Sequence, residues 1–169
     1  MTGLRKVTGL QKECRQMLRI PTKFLGEVDY TPDAVFSFPA GIPGFENHTE
    51  FLFLNIPEIS PLMFLQSVDS RNLCFVLLPI LTLAPGYQLD LTAEELHGLR
   101  LPAFRQPVLG RDVLCAALVS VGNKDVPFAN LMAPLVVNLK ARIGLQIIHP
   151  EAGYSHRHPI AFEELALAC

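Results

Sequence analysis

Tryptophan is absent, charged residues make up only 18% of the chain, and no apolar run approaches the length of a membrane span. A transmembrane helix needs roughly 18 or more apolar residues in succession, so none is expected. Arg5 and Lys6 stand near the start, but no continuous apolar run follows them, so no secretory signal is expected. Cys14, Cys74, Cys115 and Cys169 form no C-x-x-C pair. They fit a reduced, cytosolic setting, with Cys74 and Cys115 as small hydrophobes inside apolar runs. The sequence contains no G-x-x-x-x-G-K-[ST] loop, no G-x-G-x-x-G turn and no G-x-S-x-G elbow. Nucleotide binding and α/β-hydrolase chemistry are therefore without a basis in motif.

What the chain does have is apolar bulk cut into short pieces. Half of its 169 residues are hydrophobic, with eleven Phe, fourteen Pro and eleven Gly spread along it. That length supports one domain with a single core, and frequent Pro and Gly point to many short elements joined by turns. Ala34-Val-Phe-Ser-Phe38 and Phe51 to Ile56 read as strands stopped by Pro39 and Pro57. Leu62 to Val68 and Leu73 to Leu78 flank Asp69-Ser-Arg-Asn72, a strong hairpin signal. Tyr87 to Leu91 reads as a short strand, and Val113 to Val121 as a buried one. Leu135 to Leu139 and Gly144 to Ile148 suggest a second hairpin across Lys140-Ala-Arg-Ile143, with a turn at Asn123 to Pro127. Thr92-Ala-Glu-Glu95 has the capping-box form and Gly98 supplies a stop, which predicts a helix. Ile160 to Leu167 reads as a second, short one. The expected fold is all-β: one antiparallel barrel-like or sandwich domain over residues 20–169 with one or two short helices.

Charge is distributed unevenly. Residues 1–24 hold six Lys/Arg against Glu13 alone, whereas residues 25–100 hold ten acids against Arg71 and Arg100. Gly3 and Gly9 interrupt any early helix, although Leu10, Cys14, Met17 and Leu18 fall at helical spacing. Residues 1–19 are accordingly expected to be a flexible basic extension, dispensable for folding. The acidic body should repel nucleic acid and suit a basic protein partner. Glu27 and Asp29 alternate on a strand and share a face. Asp33, Glu46, Glu50 and Asp69 fall in turns or at strand ends, where charges stay exposed. Phe45, in a Gly-Pro loop, offers an apolar anchor among them. Glu27, Asp29, Asp33, Phe45, Glu46, Glu50 and Asp69 are the candidate partner-binding residues.

The strongest enzyme-like signal is His156-Arg-His158, two imidazoles at strand spacing, followed by Glu163. Metal-dependent barrels of the cupin type use a similar His-x-His…Glu set. The expected upstream glycine is missing, since Gly153 is too close, and Pro159 interrupts the strand. A Ser–His–acid triad can be assembled on paper from Ser67 or Ser155, but nothing in the spacing constrains it. A metal-dependent small β-barrel enzyme using His156, His158 and Glu163 is the alternative reading. The preferred one has no enzymatic activity, no cofactor and no metal.

Five segments carry a family resemblance. Gly41-Ile-Pro-Gly-Phe-Glu46 resembles the G-I-P-G-F-E signature of the FliW family. Leu65-Gln-Ser-Val-Asp69 with Leu73-Cys-Phe75, and Asn130-Leu-Met-Ala-Pro-Leu-Val-Val-Asn138, are similar to its next two motifs. Gly144-Leu-Gln-Ile-Ile148 and Tyr154-Ser-His-Arg-His-Pro159 resemble its closing elements. The matches run in the family's order from Thr22 to Ile160. The first twenty residues are extra, and Arg100 to Gly110, with Pro102 and Pro107, is less family-like. The resemblance implies a cytoplasmic flagellar assembly factor that binds flagellin. It also implies binding and antagonism of the RNA-binding translational repressor CsrA. Flagellin synthesis is then relieved by partner switching, without direct nucleic-acid or membrane contact.

Overall fold

The computed structural model describes residues 16–121 and 126–161. Within these, ten strands, two short α-helices and three single 3-10 turns follow one another. Strand β1 (Leu18–Pro21) pairs with β2 (Glu27–Tyr30) as a separate antiparallel hairpin. The barrel strands are β3 (Val35–Ser37), β4 (Glu50–Asn55), β5 (Met63–Ser67), β6 (Cys74–Pro79), β7 (Leu114–Ser120), β8 (Phe128–Asn138) and β9 (Ile143–Gln146). Neighbours pair antiparallel from β3 through to β9. A parallel contact between Ser37 and Ile143 closes the ring at seven strands, so the sheet has no free edge along this seam. Strand β10 (His158–Pro159) pairs with the start of β8 outside the ring. The all-β, barrel-like expectation holds, and the structure decides for the barrel over the sandwich.

Alternation along the strands sorts side chains into two cores. Phe38, Phe51, Leu65, Leu77, Ala116, Leu135 and Val137 fill the barrel interior. Their neighbours Leu78, Cys115, Ala117 and Val136 face outward, beneath the excursion between β6 and β7. That excursion carries α1 (Ile80–Leu83) and α2 (Ala93–Gly98) and lays Tyr87, Leu89, Leu91, Leu96 and Leu99 over the sheet. A strand covered on both faces needs apolar residues at every position, which explains the unbroken run Leu114-Cys-Ala-Ala-Leu-Val119. Each fully buried Leu or Val contributes about 1.5–3 kcal/mol. Cys115 is a packing residue, and burial pushes its thiol up to about 12.

Thr92 caps α2 as expected: its hydroxyl accepts from Glu95 N–H at 3.2 Å, and the Glu95 carboxylate accepts from Thr92 N–H at 2.7 Å. The β5–β6 and β8–β9 hairpins form where the turn signals placed them. Two expectations need correction. Tyr87 to Leu91 is not a strand, although Tyr87, Leu89 and Leu91 alternate into the core. The Gln106 side-chain amide bonds both backbone groups of Leu91, each at 2.8 Å, and takes the place of a neighbouring strand. Strand β8 also begins seven residues before Leu135 and runs through Pro134. The register of β7 and β8 shifts between Ala116 and Leu118, and such an irregularity accommodates a residue without N–H. Asn130 Oδ1 accepts from the N–H groups of Met132 and Ala133 at 3.1 Å each, which satisfies backbone donors there. Strand β1 starts inside the stretch assigned to the N-terminal extension, with Leu18 and Arg19 paired to Tyr30 and Asp29. Most of the Asn123–Pro127 turn and of the Ile160–Leu167 helix lies outside the described residues.

Candidate partner-binding rim

The residues proposed from sequence gather mostly at one end of the barrel, where β4 and β6 start and β5 finishes. Gly41-Ile-Pro-Gly-Phe-Glu46 crosses this end. Gly41 has φ +66°, and a Cβ there would lie 2.5 Å from Glu46 Cα. Only glycine lets the loop fold back on itself so tightly. The Gly44 N–H donates to the Glu46 carboxylate at 2.7 Å, and this backbone bond holds Glu46 below the usual carboxylate range. Phe45 is 41% exposed, its ring packed edge-on against Phe75 with centroids 5.1 Å apart. Half-sunk and fixed, it costs little further rotamer entropy on docking.

The β5–β6 turn meets this loop. Asp69 accepts from the Ser67 hydroxyl at 2.5 Å, and His48 Nδ1 lies 2.7 Å from the same oxygen. These bonds, the serine's first, hold Asp69 below its ordinary value. Glu50 is exposed at the start of β4, and its carbonyl accepts from Val68 N–H at 3.0 Å. Gln66 is fully buried and donates from Nε2 to the carbonyls of Ser67, Ser70 and Leu73, which fixes the turn. The Gln66, Ser67 and Asp69 of the second motif are therefore the scaffold of this hairpin. Phe45, Glu46, Glu50 and Asp69 share one rim.

Glu27 and Asp29 do project together from β2, but not as free charges. Arg19, opposite on β1, forks onto both: Nε to Asp29 at 2.5 Å and Nη1 to Glu27 at 3.1 Å. That hydrogen bond lowers the Asp29 pKa and raises that of Arg19. The tip of their hairpin reaches the rim, since Lys23 N–H donates to the Arg71 carbonyl at 2.9 Å. Asp33 stands apart in a 3-10 turn whose carbonyl accepts from Arg142 of the β8–β9 turn. Charge counting by sequence missed Arg19 as a partner because it treated the basic segment as a separate tail.

The geometry at the enzyme-like candidates is different from what catalysis needs. Ser67, Asp69 and His48 are linked with the acid in the middle, whereas a triad needs the imidazole between hydroxyl and acid. His158 lies in the two-residue β10, and His156 precedes it in a bend, so the two are not alternate residues of one strand. Glu163 lies outside the described residues. Among the described residues no three His, Cys, Asp or Glu side chains converge as metal ligands. The surrounding segment is held by Tyr154, stacked on Tyr87 at 4.1 Å, and by Arg157 over the Phe128 ring at 4.1 Å. Among the described residues no helix is long and apolar enough to cross a membrane.

Comparison with known proteins is consistent with this architecture. The family model described as FliW protein matches residues 19–160. The flagellar assembly factor FliW of Syntrophomonas wolfei is 34% identical over 143 residues, covering 85% of this chain and 88% of that protein. Its counterpart in Clostridium tetani is 31% identical, covering 87% of this chain and 98% of that protein. The one in Bacillus subtilis is 30% identical, covering 85% and 97%. A crystal structure of the flagellar assembly factor FliW superposes with a TM-score of 0.74 at 31% identity, covering 83% of this chain and 95% of the other. These relatives are named as assembly factors rather than as enzymes. By motif, by fold and by identity over most of its length, the chain belongs to the FliW family of flagellar assembly factors.

Proposed function

We propose that this protein acts in the cytoplasm as a partner-switching regulator without catalytic activity. It binds flagellin, and it binds and antagonises a CsrA-type RNA-binding repressor. Flagellin export leaves it free to take the repressor off the flagellin message. The observation that supports this reading best is the rim, where Glu46, Glu50 and Asp69 surround a half-exposed, ring-packed Phe45 and outnumber the two exposed cations Lys23 and Arg71. An RNA-binding repressor must carry basic surface to contact phosphates, and such a surface suits an acidic rim with one apolar anchor. Arg19 partly neutralises Glu27 and Asp29, so their hairpin contributes less net charge than its sequence suggests, and Asp33 contributes at a distance.

The test is a three-component titration. A labelled flagellin-leader RNA is bound to the repressor, and the purified protein is added. RNA release is expected, followed by recapture when flagellin is added. RNA that stays bound at saturating protein would rule the reading out.

A further inference from the structure

We infer that the opposite end of the barrel holds a second docking site, specific for an acidic peptide that also carries apolar side chains. This goes beyond the rim and does not depend on what binds there. The site lies where β8 finishes and β7 starts, built by the less family-like stretch after α2 together with the β8–β9 turn. A cavity of about 420 Å³ is lined there by Arg100, Arg105, Arg111 and Lys140, with Asp112 as the one carboxylate. In a chain of net charge −2, four cations around one cavity are a strong local field.

The cavity is organised from within. Asp112 accepts from Arg105 Nη1 at 2.7 Å, from Val108 N–H at 2.9 Å and from Arg111 Nε at 3.3 Å. These bonds fix the loop and leave two cations in reserve. Among the described residues neither Arg100 nor Lys140 has an ion-pair partner. Asn138 forms the floor: its Nδ2 donates to the Leu99 carbonyl at 2.9 Å, and its Oδ1 accepts from Lys140 and Ala141 N–H groups. Arg100 ends α2 with φ 54°, a position that glycine usually takes.

The occupant follows from what surrounds the charges. Phe104 is 86% exposed and Leu139 is exposed too, each adjacent in sequence to a cationic lining residue. Apolar anchors beside cations that have no ion-pair partner among the described residues suit a peptide that offers carboxylates and apolar side chains together. Single-stranded RNA fits less well. It wants successive aromatic platforms, and the Asp112 carboxylate, held ionised by Arg105 first of all, would face its phosphates.

Fluorescence anisotropy with the full chain tests this. The probe is a labelled peptide of about twelve residues, half Glu and half Leu. Controls are the same peptide with Lys for Glu, and a single-stranded RNA of equal length. Saturable binding of the acidic peptide alone is expected, weakening as salt screens the charges. Arg100→Gly with Lys140→Ser should lower its affinity by about tenfold or more, and Phe104→Ser by several-fold. Glycine suits the φ of residue 100 and residue 140 is exposed, so the melting temperature of the double variant should hold. Lys140→Glu alone is a second variant should the double one be unstable, and it too should weaken binding. Undiminished affinity in a folded variant, preference for RNA, or no saturable binding at low salt would each overturn the inference.

Discussion

Alanine at Gly41 and alanine at Gly44 should differ sharply in cost, although both glycines lie in one loop with left-handed φ, +66° and +87°. At Gly44 a Cβ would meet nothing within 4 Å. Its cost is the backbone conformation alone, about 1–2 kcal/mol. At Gly41 the Cβ would stand 2.5 Å from Glu46 Cα and 2.8 Å from its carbonyl oxygen. Backbone cannot swing aside as a side chain can, so the loop must open. That strain adds about 1–3 kcal/mol, for a total of roughly 2–5 kcal/mol. In a chain of this size each kcal/mol shifts Tm by about 2–4 °C. Gly44→Ala should therefore lower Tm by about 2–8 °C and Gly41→Ala by about 4–20 °C, the excess at Gly41 being the strain of the close approach. Urea unfolding gives the same comparison through the midpoint at constant slope. Gly41→Ala should also move Phe45 and Glu46 and weaken any partner bound at the rim. Equal destabilisation by the two substitutions would refute the close-approach argument.

Gly144 should also resist substitution, for a different reason and at a smaller cost than Gly41. A Cβ there would lie 2.5 Å from the Phe38 ring, so Gly144→Ala should cost about 1–3 kcal/mol. Adding Phe38→Leu should cost less than the two single changes summed, as a double-mutant cycle can measure. For pH, Asp29, Glu46, Asp69 and Asp112 all have folded pKa values lowered by hydrogen bonds. Their contribution is complete above the unfolded carboxylate value near pH 4 and is lost as pH falls through the folded values. Tm should be flat from about pH 7 to 5 and decline below about pH 4, and Asp112→Asn should make that decline shallower. Deleting residues 1–15 should leave Tm within a few degrees of the full chain. Deleting as far as Arg19 removes Leu18 and Arg19 from the β1–β2 pairing and should lower Tm further.

The fold was legible where local chemistry and tertiary packing agree. The β5–β6 turn, the Thr92 capping box and the doubly buried β7 all announce themselves in a few residues. Tyr87 to Leu91 misled because alternation reports burial, and a side-chain amide from Gln106 satisfied the backbone in place of a strand. The early start of β8 was hidden by Pro134, whose tolerance depends on a register shift against β7 that no local pattern encodes. At the rim, exposure of the acids followed from turn composition. The Arg19 fork did not, because it joins residues ten apart across a hairpin. The basic cavity was harder still to see, since Arg100, Arg111 and Lys140 come from three separate stretches of chain.

The proposed docking of the rim on a basic face of the repressor depends on charge. It is tested most directly by association rates between the two purified proteins from about 0.05 to 0.5 M salt, a range over which screening shortens well below 10 Å. The wild type and a Glu46→Lys, Glu50→Lys, Asp69→Lys variant are compared. Single exposed charges are worth only about 0.2–1 kcal/mol, so all three are reversed at once. The account predicts a wild-type rate that falls steeply with salt and a folded variant more than about tenfold slower at low salt. A wild-type rate indifferent to salt, with unchanged association of the folded variant, would contradict it.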